Sequence, residues 1–155
     1  MEKNKTIINF SIRNHIIAII MIALFSFSCK TDKKQVVATD LSKDVIEVLE
    51  FYGKHRCNSC IDIERNTKAT LKKFFKKEID NKQIVYKLIQ WDVPENEAIV
   101  NKFEAAGTEL YIYRIKDGKE YIDDISDFAF KKSDKDEEFE SIFKDKLNKA
   151  LALQK

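Results

Sequence analysis

The feature of this sequence that most constrains its fold is a cysteine pair placed where a predicted strand gives way to a predicted helix. Cys57 and Cys60 are three positions apart. Residues 45–52 are rich in β-branched and aromatic side chains and are followed by Gly53, which is typical of a strand. From Cys60 to Ile79, apolar or small residues recur at spacings of three and four, which predicts an amphipathic helix of about five turns. Both sulfur atoms are therefore expected at the N-terminus of a helix that follows a strand.

The remaining domain continues to alternate between strand and helix. The predicted elements are a strand at 84–93, a short helix at 96–105, strands at 110–115 and 120–122, and a C-terminal helix beginning at Ser133. Asp117-Gly118 is a hairpin signal between the last two strands. We expect residues 123–132 to link the hairpin to the last helix and to pack over the sheet. The predicted order is βαβαββα, in an α/β domain spanning 44–155.

The N-terminus has the pattern of a secretory signal peptide over residues 1–28. Its start is basic, and Ile16–Phe25 is an unbroken apolar run. A spanning helix needs ~20 apolar residues, about twice this run, although an uncleaved membrane anchor stays open as an alternative. Residues 29–43 are mostly polar and are predicted to form a flexible tether.

The junction Ser28-Cys29 resembles the lipobox of bacterial lipoproteins. This resemblance implies that Cys29 becomes the acylated first residue of the mature protein. The expected location is then the bacterial cell envelope, in the periplasm or at the outer membrane, with the protein attached to the membrane through Cys29.

The charge of the chain argues against nucleic acid as a partner. The full sequence has 28 basic and 26 acidic residues, a formal charge of +2. Residues 1–28 contain three of the basic residues and one of the acidic ones, which leaves 25 of each from Cys29 onward. A nucleic-acid binder concentrates positive charge on one face instead.

The placement of Cys57 and Cys60 favours reactive sulfur. Free amides and the dipole at a helix N-terminus stabilise a thiolate, Arg56 adds a fixed positive charge, and His55 can add another. Three interpretations stay open: reversible dithiol–disulfide exchange, a structural disulfide, and a soft metal site such as Cu(I) with His55 as third ligand. A closed zinc site lacks two further ligands at familiar spacing.

A strand, a C-x-x-C pair at a helix start and a following βαββα order together resemble the thioredoxin fold. The more specific resemblance is to small bacterial thioredoxin-like lipoproteins described as a nitrophenyl-compound nitroreductase subunit. The stretches that match are Phe51–Gly53, His55–Cys57 with Cys60, Ile63–Lys68 and Asp92–Asn96. This resemblance implies a three-layer sandwich around a central mixed sheet, and either a protein thiol or disulfide partner or a reductase complex. No cofactor is expected, because the sequence offers neither a flavin site nor a nicotinamide-binding Gly-rich loop.

The sequence departs from ordinary thioredoxins at several positions. Arg56 stands where an aromatic residue is usual, and no proline precedes the third strand near Thr108 and Glu109, where the family has a cis-proline. Thr108 and Glu109 are therefore candidates for lining the substrate groove, and Glu109 would oppose the thiolate. An ungapped match places Phe51 at the buried-acid position of the family, with Glu50 beside it.

The sequence thus predicts an envelope thiol–disulfide redox protein. Cys57 is expected to form the mixed disulfide with the partner, and the more buried Cys60 to resolve it. The alternative is a binding module or reductase-complex subunit without catalytic activity, in which both cysteines are metal ligands or a structural disulfide.

Overall fold

A computed structural model describes residues 45–155, in which strands and helices alternate along the chain. The elements are β1 (Ile46–Tyr52), α1 (Asn58–Phe74), α2 (Lys76–Asp80), β2 (Ile84–Gln90), a 3₁₀ turn (Pro94–Asn96), α3 (Glu97–Phe103), β3 (Glu109–Lys116), β4 (Lys119–Asp124), α4 (Ser126–Lys131) and α5 (Asp136–Gln154).

The four strands form one mixed sheet in the order β2-β1-β3-β4. β1 pairs parallel with β2 and antiparallel with β3, so that Ile46 lies opposite both Ile84 and Arg114. β4 pairs antiparallel with β3 and forms one edge of the sheet. A strand–helix–strand unit followed by a hairpin on a central mixed sheet confirms the predicted α/β class and is consistent with a thioredoxin-like fold.

Side chains alternate along β1 between two hydrophobic cores, one on each face of the sheet. Ile46 and Val48 join a core with α1, α4 and α5, whereas Leu49 and Phe51 join a second core beneath α3. The larger core also contains Ile63, Leu71, Phe75, Ile84, Leu110, Ile112, Ile125, Ala129, Phe139, Phe143, Leu147 and Ala150. The sheet is therefore the middle layer of three, as predicted.

The first helix is shorter than its hydrophobic pattern predicts. α1 ends at Phe74, and Phe75 leaves helical geometry with φ −123° and ψ 20° before the short α2 begins. The Phe75 side chain is only 2 % exposed. The spacing of apolar residues predicts which side chains are buried, but it does not predict where a helix is interrupted. Here the interruption directs the Phe75 side chain into the core. β2 also ends at Gln90, three residues before the predicted limit.

The hairpin between β3 and β4 has the geometry that its sequence predicts. Asp117 and Gly118 connect the strands with φ values of 53° and 74°. Positive φ at both central residues is the requirement of the tight turn that suits the twist of a hairpin, and Asp-Gly meets it with little strain.

The prediction that Ser133 begins the last helix is wrong. α5 begins at Asp136 with Lys135 as its N-cap, and no side-chain hydrogen bond caps it. Ser133 is buried, its carbonyl oxygen accepts a 2.9 Å hydrogen bond from Asn66 Nδ2, and its hydroxyl donates to the Phe130 carbonyl. The preceding link also contains a helix that the sequence did not predict, α4.

The predicted signal peptide at 1–28, the lipidation site Cys29 and the tether at 29–43 lie outside the described residues and stay predictions. Within residues 45–155, no helix is both long enough and apolar enough to cross a membrane.

Candidate redox site

Cys57 and Cys60 form a disulfide at the N-terminus of α1. Their Cα atoms are 5.1 Å apart, within the usual range for such a bond. Cys57 is the N-cap, and its sulfur accepts a 3.1 Å hydrogen bond from the amide of Cys60. Cys57 is exposed, whereas Cys60 is only 8 % exposed. Cys60 is the more buried of the two, as the sequence predicts, and the roles of the two sulfurs in exchange with a partner stay predictions.

The loop that leads to Cys57 is held by the turn after β2. The Trp91 amide donates to the Tyr52 carbonyl at 2.9 Å, and the Lys54 amide donates to Asp92 Oδ2 at 2.9 Å. This hydrogen bond from Lys54 lowers the pKa of Asp92. The Trp91 indole covers Gly53 so closely that a Cβ there would lie 2.9 Å from Nε1. The turns that follow β1 and β2 are thus joined by two hydrogen bonds and the Trp91–Gly53 contact next to the disulfide.

Arg56 connects the end of β1 to the first turns of α1. Its guanidinium binds the Glu64 carboxylate, donates to the Cys60 carbonyl at 2.9 Å, and lies 3.7 Å from Glu50 Oε1. It also lies over the Tyr52 ring, with 5.1 Å from Cζ to the ring centroid. The positive charge is therefore shared with two carboxylates at the base of the disulfide loop. His55, the other predicted tuning residue, is exposed beside Cys57.

Glu50 is a functional candidate that the sequence did not select. Its side chain is fully buried, on the face of β1 that meets α1, and its Oε2 accepts a 2.8 Å hydrogen bond from the Tyr86 hydroxyl. Burial raises the pKa of Glu50 to about 7, against the lowering effects of the Tyr86 hydrogen bond and the Arg56 charge. Phe51, which the ungapped match placed at the buried-acid position, points into the other core.

Glu64 completes the group of charges beneath the disulfide loop. Burial tends to raise its pKa, but hydrogen bonds from Lys68 and Arg56 outweigh burial, so the net shift is downward. Glu64 therefore stays ionised under conditions in which Glu50 gains or loses its proton. The two carboxylates share one guanidinium but have different protonation behaviour.

The predicted groove residues lie at the same end of the sheet as the disulfide. Glu109 is opposite Phe51 in the β1–β3 register. Its carboxylate accepts hydrogen bonds from the Ala106 amide at 3.2 Å and from the Tyr111 hydroxyl at 2.6 Å, so it braces the loop before β3. Thr108 is half-buried in that loop. No peptide bond within residues 45–155 is cis, so the loop before β3 lacks the cis-proline that is usual in thioredoxins.

The described residues do not assemble the alternative metal site. Across 45–155, no three His, Cys, Asp or Glu side chains come together in a way that could hold a metal ion. Cys57 and Cys60 are bonded to each other here, so a metal site on the reduced cysteines with His55 as third ligand stays a prediction.

Comparison with known proteins adds little to this geometry. No protein-family model matches the chain, and no curated protein matches it. Among solved structures, a thioredoxin from Fasciola hepatica is similar, with 27 % sequence identity over 54 % of this chain and 69 % of that chain, and a TM-score of 0.38. A thioredoxin-like fold is consistent with the strand order, the strand directions and the position of the disulfide at the start of α1.

Proposed function

We propose that this protein is a thiol–disulfide redox protein of the bacterial envelope that exchanges electrons with a protein partner through Cys57 and Cys60. One observation carries the proposal: the disulfide joins an exposed N-cap cysteine to a buried cysteine in the first turn of α1. A partner can reach one sulfur and not the other, which is the asymmetry that a two-step exchange needs.

The proposed exchange transfers two electrons and two protons. A partner thiol loses its proton and the resulting thiolate attacks the Cys57 sulfur, the Cys57–Cys60 bond breaks, and Cys60 leaves as a thiolate that takes up a proton. The second partner thiol then loses its proton and attacks the partner's own sulfur in the mixed disulfide, which releases Cys57 as a thiolate that takes up the second proton in the dithiol form. The partner is oxidised to a disulfide and this protein is reduced to a dithiol; electron flow in the opposite direction reverses each step.

The surroundings of Cys57 support a stabilised thiolate. The Cys57 sulfur already accepts a hydrogen bond from the Cys60 amide. The first turn of α1 contains no acidic residue that would offset the positive end of the helix dipole. Stabilising the reduced form raises the reduction potential, so we expect a more oxidising couple than that of a general reductant. Ionised Glu50 acts in the opposite direction, because a nearby negative charge disfavours a thiolate.

The proposal also includes an anchor and a class of partner. The lipobox resemblance supports acylation at Cys29 and attachment to an envelope membrane. The resemblance to nitroreductase subunits adds a reductase complex as a candidate partner, in which a flavoprotein would co-purify with this chain. Incorporation of labelled palmitate into the wild type but not into Cys29→Ser tests the anchor.

Trapping of mixed disulfides tests the redox function. In cells expressing the full chain, Cys60→Ser should accumulate partner complexes through Cys57, because the resolving sulfur is missing. Cys57→Ser is the matched control and should accumulate none. If neither variant traps a partner and the reduced protein instead binds Cu(I) stoichiometrically, the redox proposal is wrong and the cysteines are ligands.

A further inference from the structure

The two ends of the sheet carry opposite charge. At the disulfide end lie the loops after β1, β2 and β4 and the loop before β3. At the other end lie residues 72–83, the turn 116–119 and the last turns of α5 at 148–155. We call this second surface the lysine end, because lysine dominates its charge.

The lysine end contains nine lysines and three acidic residues. The acids are Glu78, Asp80 and Asp117, and the lysines are Lys72, Lys73, Lys76, Lys77, Lys82, Lys116, Lys119, Lys149 and Lys155. All nine lysines except Lys116 are exposed. Within residues 45–155, only Lys73 and Lys76 of this set form ion pairs, with Glu140 and Asp80. Most of this positive charge faces solvent.

The disulfide end has the opposite composition. Over segments 53–62, 91–97, 104–109 and 123–127 it has two basic residues, Lys54 and Arg56, and Arg56 is already bound to carboxylates. The same segments contain nine acidic residues, namely Asp62, Asp92, Glu95, Glu97, Glu104, Glu109, Asp123, Asp124 and Asp127.

The two ends are far enough apart to act separately in solution. A strand rises ~3.3 Å per residue, so the length of β1 separates them by about 20 Å, more than twice the Debye length of ~8 Å at physiological ionic strength. Ile46 opens β1 at the lysine end, where its amide donates to the Gln83 carbonyl at 2.8 Å. The described part of the chain therefore begins beside the lysines.

We infer that the lysine end lies on the anionic surface of the bilayer that holds the protein, and that the disulfide consequently faces away from the membrane. The inference rests on the proposed function for the lipid anchor at Cys29. Each lysine close to an anionic surface strengthens binding by roughly fivefold, and the acidic disulfide end is repelled from the same surface. Attraction at one end and repulsion at the other give a single preferred orientation.

Depth-dependent quenching tests this orientation. The full lipidated chain, with Cys57 and Cys60 oxidised, is labelled with a fluorophore at Asn81→Cys or at Ala106→Cys, both exposed and uncharged positions. It is reconstituted into vesicles of phosphatidylcholine alone or with added phosphatidylglycerol, each containing a quencher lipid. At position 81 we expect quenching several-fold stronger with phosphatidylglycerol and reversed by high salt. At position 106 we expect no such difference.

A triple variant identifies the lysines as the cause. Lys72→Gln, Lys77→Gln and Lys82→Gln together should remove the phosphatidylglycerol-dependent quenching at position 81. The matched control removes three exposed lysines elsewhere, Lys54, Lys131 and Lys135, and should leave it unchanged.

The outcomes separate the anchor from the orientation. Protein that floats with both vesicle types but shows equal quenching at position 81 overturns the inference and leaves the anchor intact; the lysine end would then be free for an acidic protein partner. Flotation only with phosphatidylglycerol refutes the anchor, and quenching at position 81 without quenching at position 106 then still supports the orientation. Protein that floats with neither refutes both.

Discussion

Tyr86 on β2 donates a 2.8 Å hydrogen bond to Glu50 on the neighbouring strand β1, and both side chains face α1. The second carboxylate oxygen of Glu50 lies 3.7 Å from Arg56. Despite a donor and a cation, burial dominates and places the pKa of Glu50 at about 7. The site therefore contains an acid that changes its charge near neutral pH, linked to the Cys60 backbone through one guanidinium.

Glu50→Gln should change how stability depends on pH. The pKa of Glu50 is about 4.5 unfolded and about 7 folded, so the folded state binds the proton more tightly. Below about pH 4.5 both states are protonated and no difference arises; as pH rises from 4.5 through 7, the ionised carboxylate destabilises the fold by up to about 3 kcal/mol. Glu50→Gln should remove this loss, as measured by urea unfolding from pH 4 to 9. Glu78→Gln is the control, and parallel pH profiles for Glu50→Gln and wild type would contradict the prediction.

Arg56→Met should slow the reaction of Cys57 with an alkylating reagent. Removing the guanidinium takes away a positive charge near the thiolate and the link to the Cys60 carbonyl. We expect a decrease in the rate for the reduced protein on the order of three- to fivefold at pH 7, through a raised pKa of Cys57.

Arg65→Met is the matched control for this variant. Arg65 also lies on α1, but it pairs with Asp62 and Asp136 at the surface. Its loss should leave the alkylation rate unchanged. An equal effect of both variants would mean that general helix stability, and not Arg56 itself, sets the reactivity of Cys57.

Gly53→Ala should disturb the support of the disulfide loop. The new methyl would lie 2.9 Å from the Trp91 Nε1 atom, and the rigid indole must move to accommodate it. We expect a loss of about 1–3 kcal/mol in unfolding free energy and a shift in the emission of Trp91, the one tryptophan of the sequence. Gly107→Ala is the control, because no atom lies within 4 Å of its added Cβ. Equal stability of the two variants would show that the Trp91 contact does not constrain the loop.

Periodicity and turn chemistry were sufficient to predict most of the fold. β1, β2 and the β3–β4 hairpin are all near their predicted positions, since alternation and the Asp-Gly pair depend on local sequence. The interruption at Phe75 and the helix α4 were missed because tertiary packing determines them. Ser133 resembled a helix cap, but its carbonyl oxygen accepts a hydrogen bond from the Asn66 side chain, which is 67 positions away in the sequence.

The part of the site that one continuous segment forms could be predicted from the sequence. The part that depends on contacts between separate segments could not. The exposed Cys57 and the protected Cys60 follow from the start of one helix. Glu50 could have been found from the alternation of β1, which places it on the same face as Ile46 and Val48. The ungapped comparison instead pointed to its neighbour Phe51. The contacts from Arg56 to Glu50 and Glu64 join two elements, and no local pattern encodes them.

β4 has one further consequence under the proposed membrane anchor. All six of its residues are exposed, and within residues 45–155 no strand pairs with its outer edge. Four of the six, Lys119, Glu120, Asp123 and Asp124, are charged, and charged side chains on an edge strand discourage pairing with a second copy. With the proposed lipid anchor, neighbouring molecules in one bilayer would crowd together without joining their sheets, and each disulfide would stay available to the proposed partner.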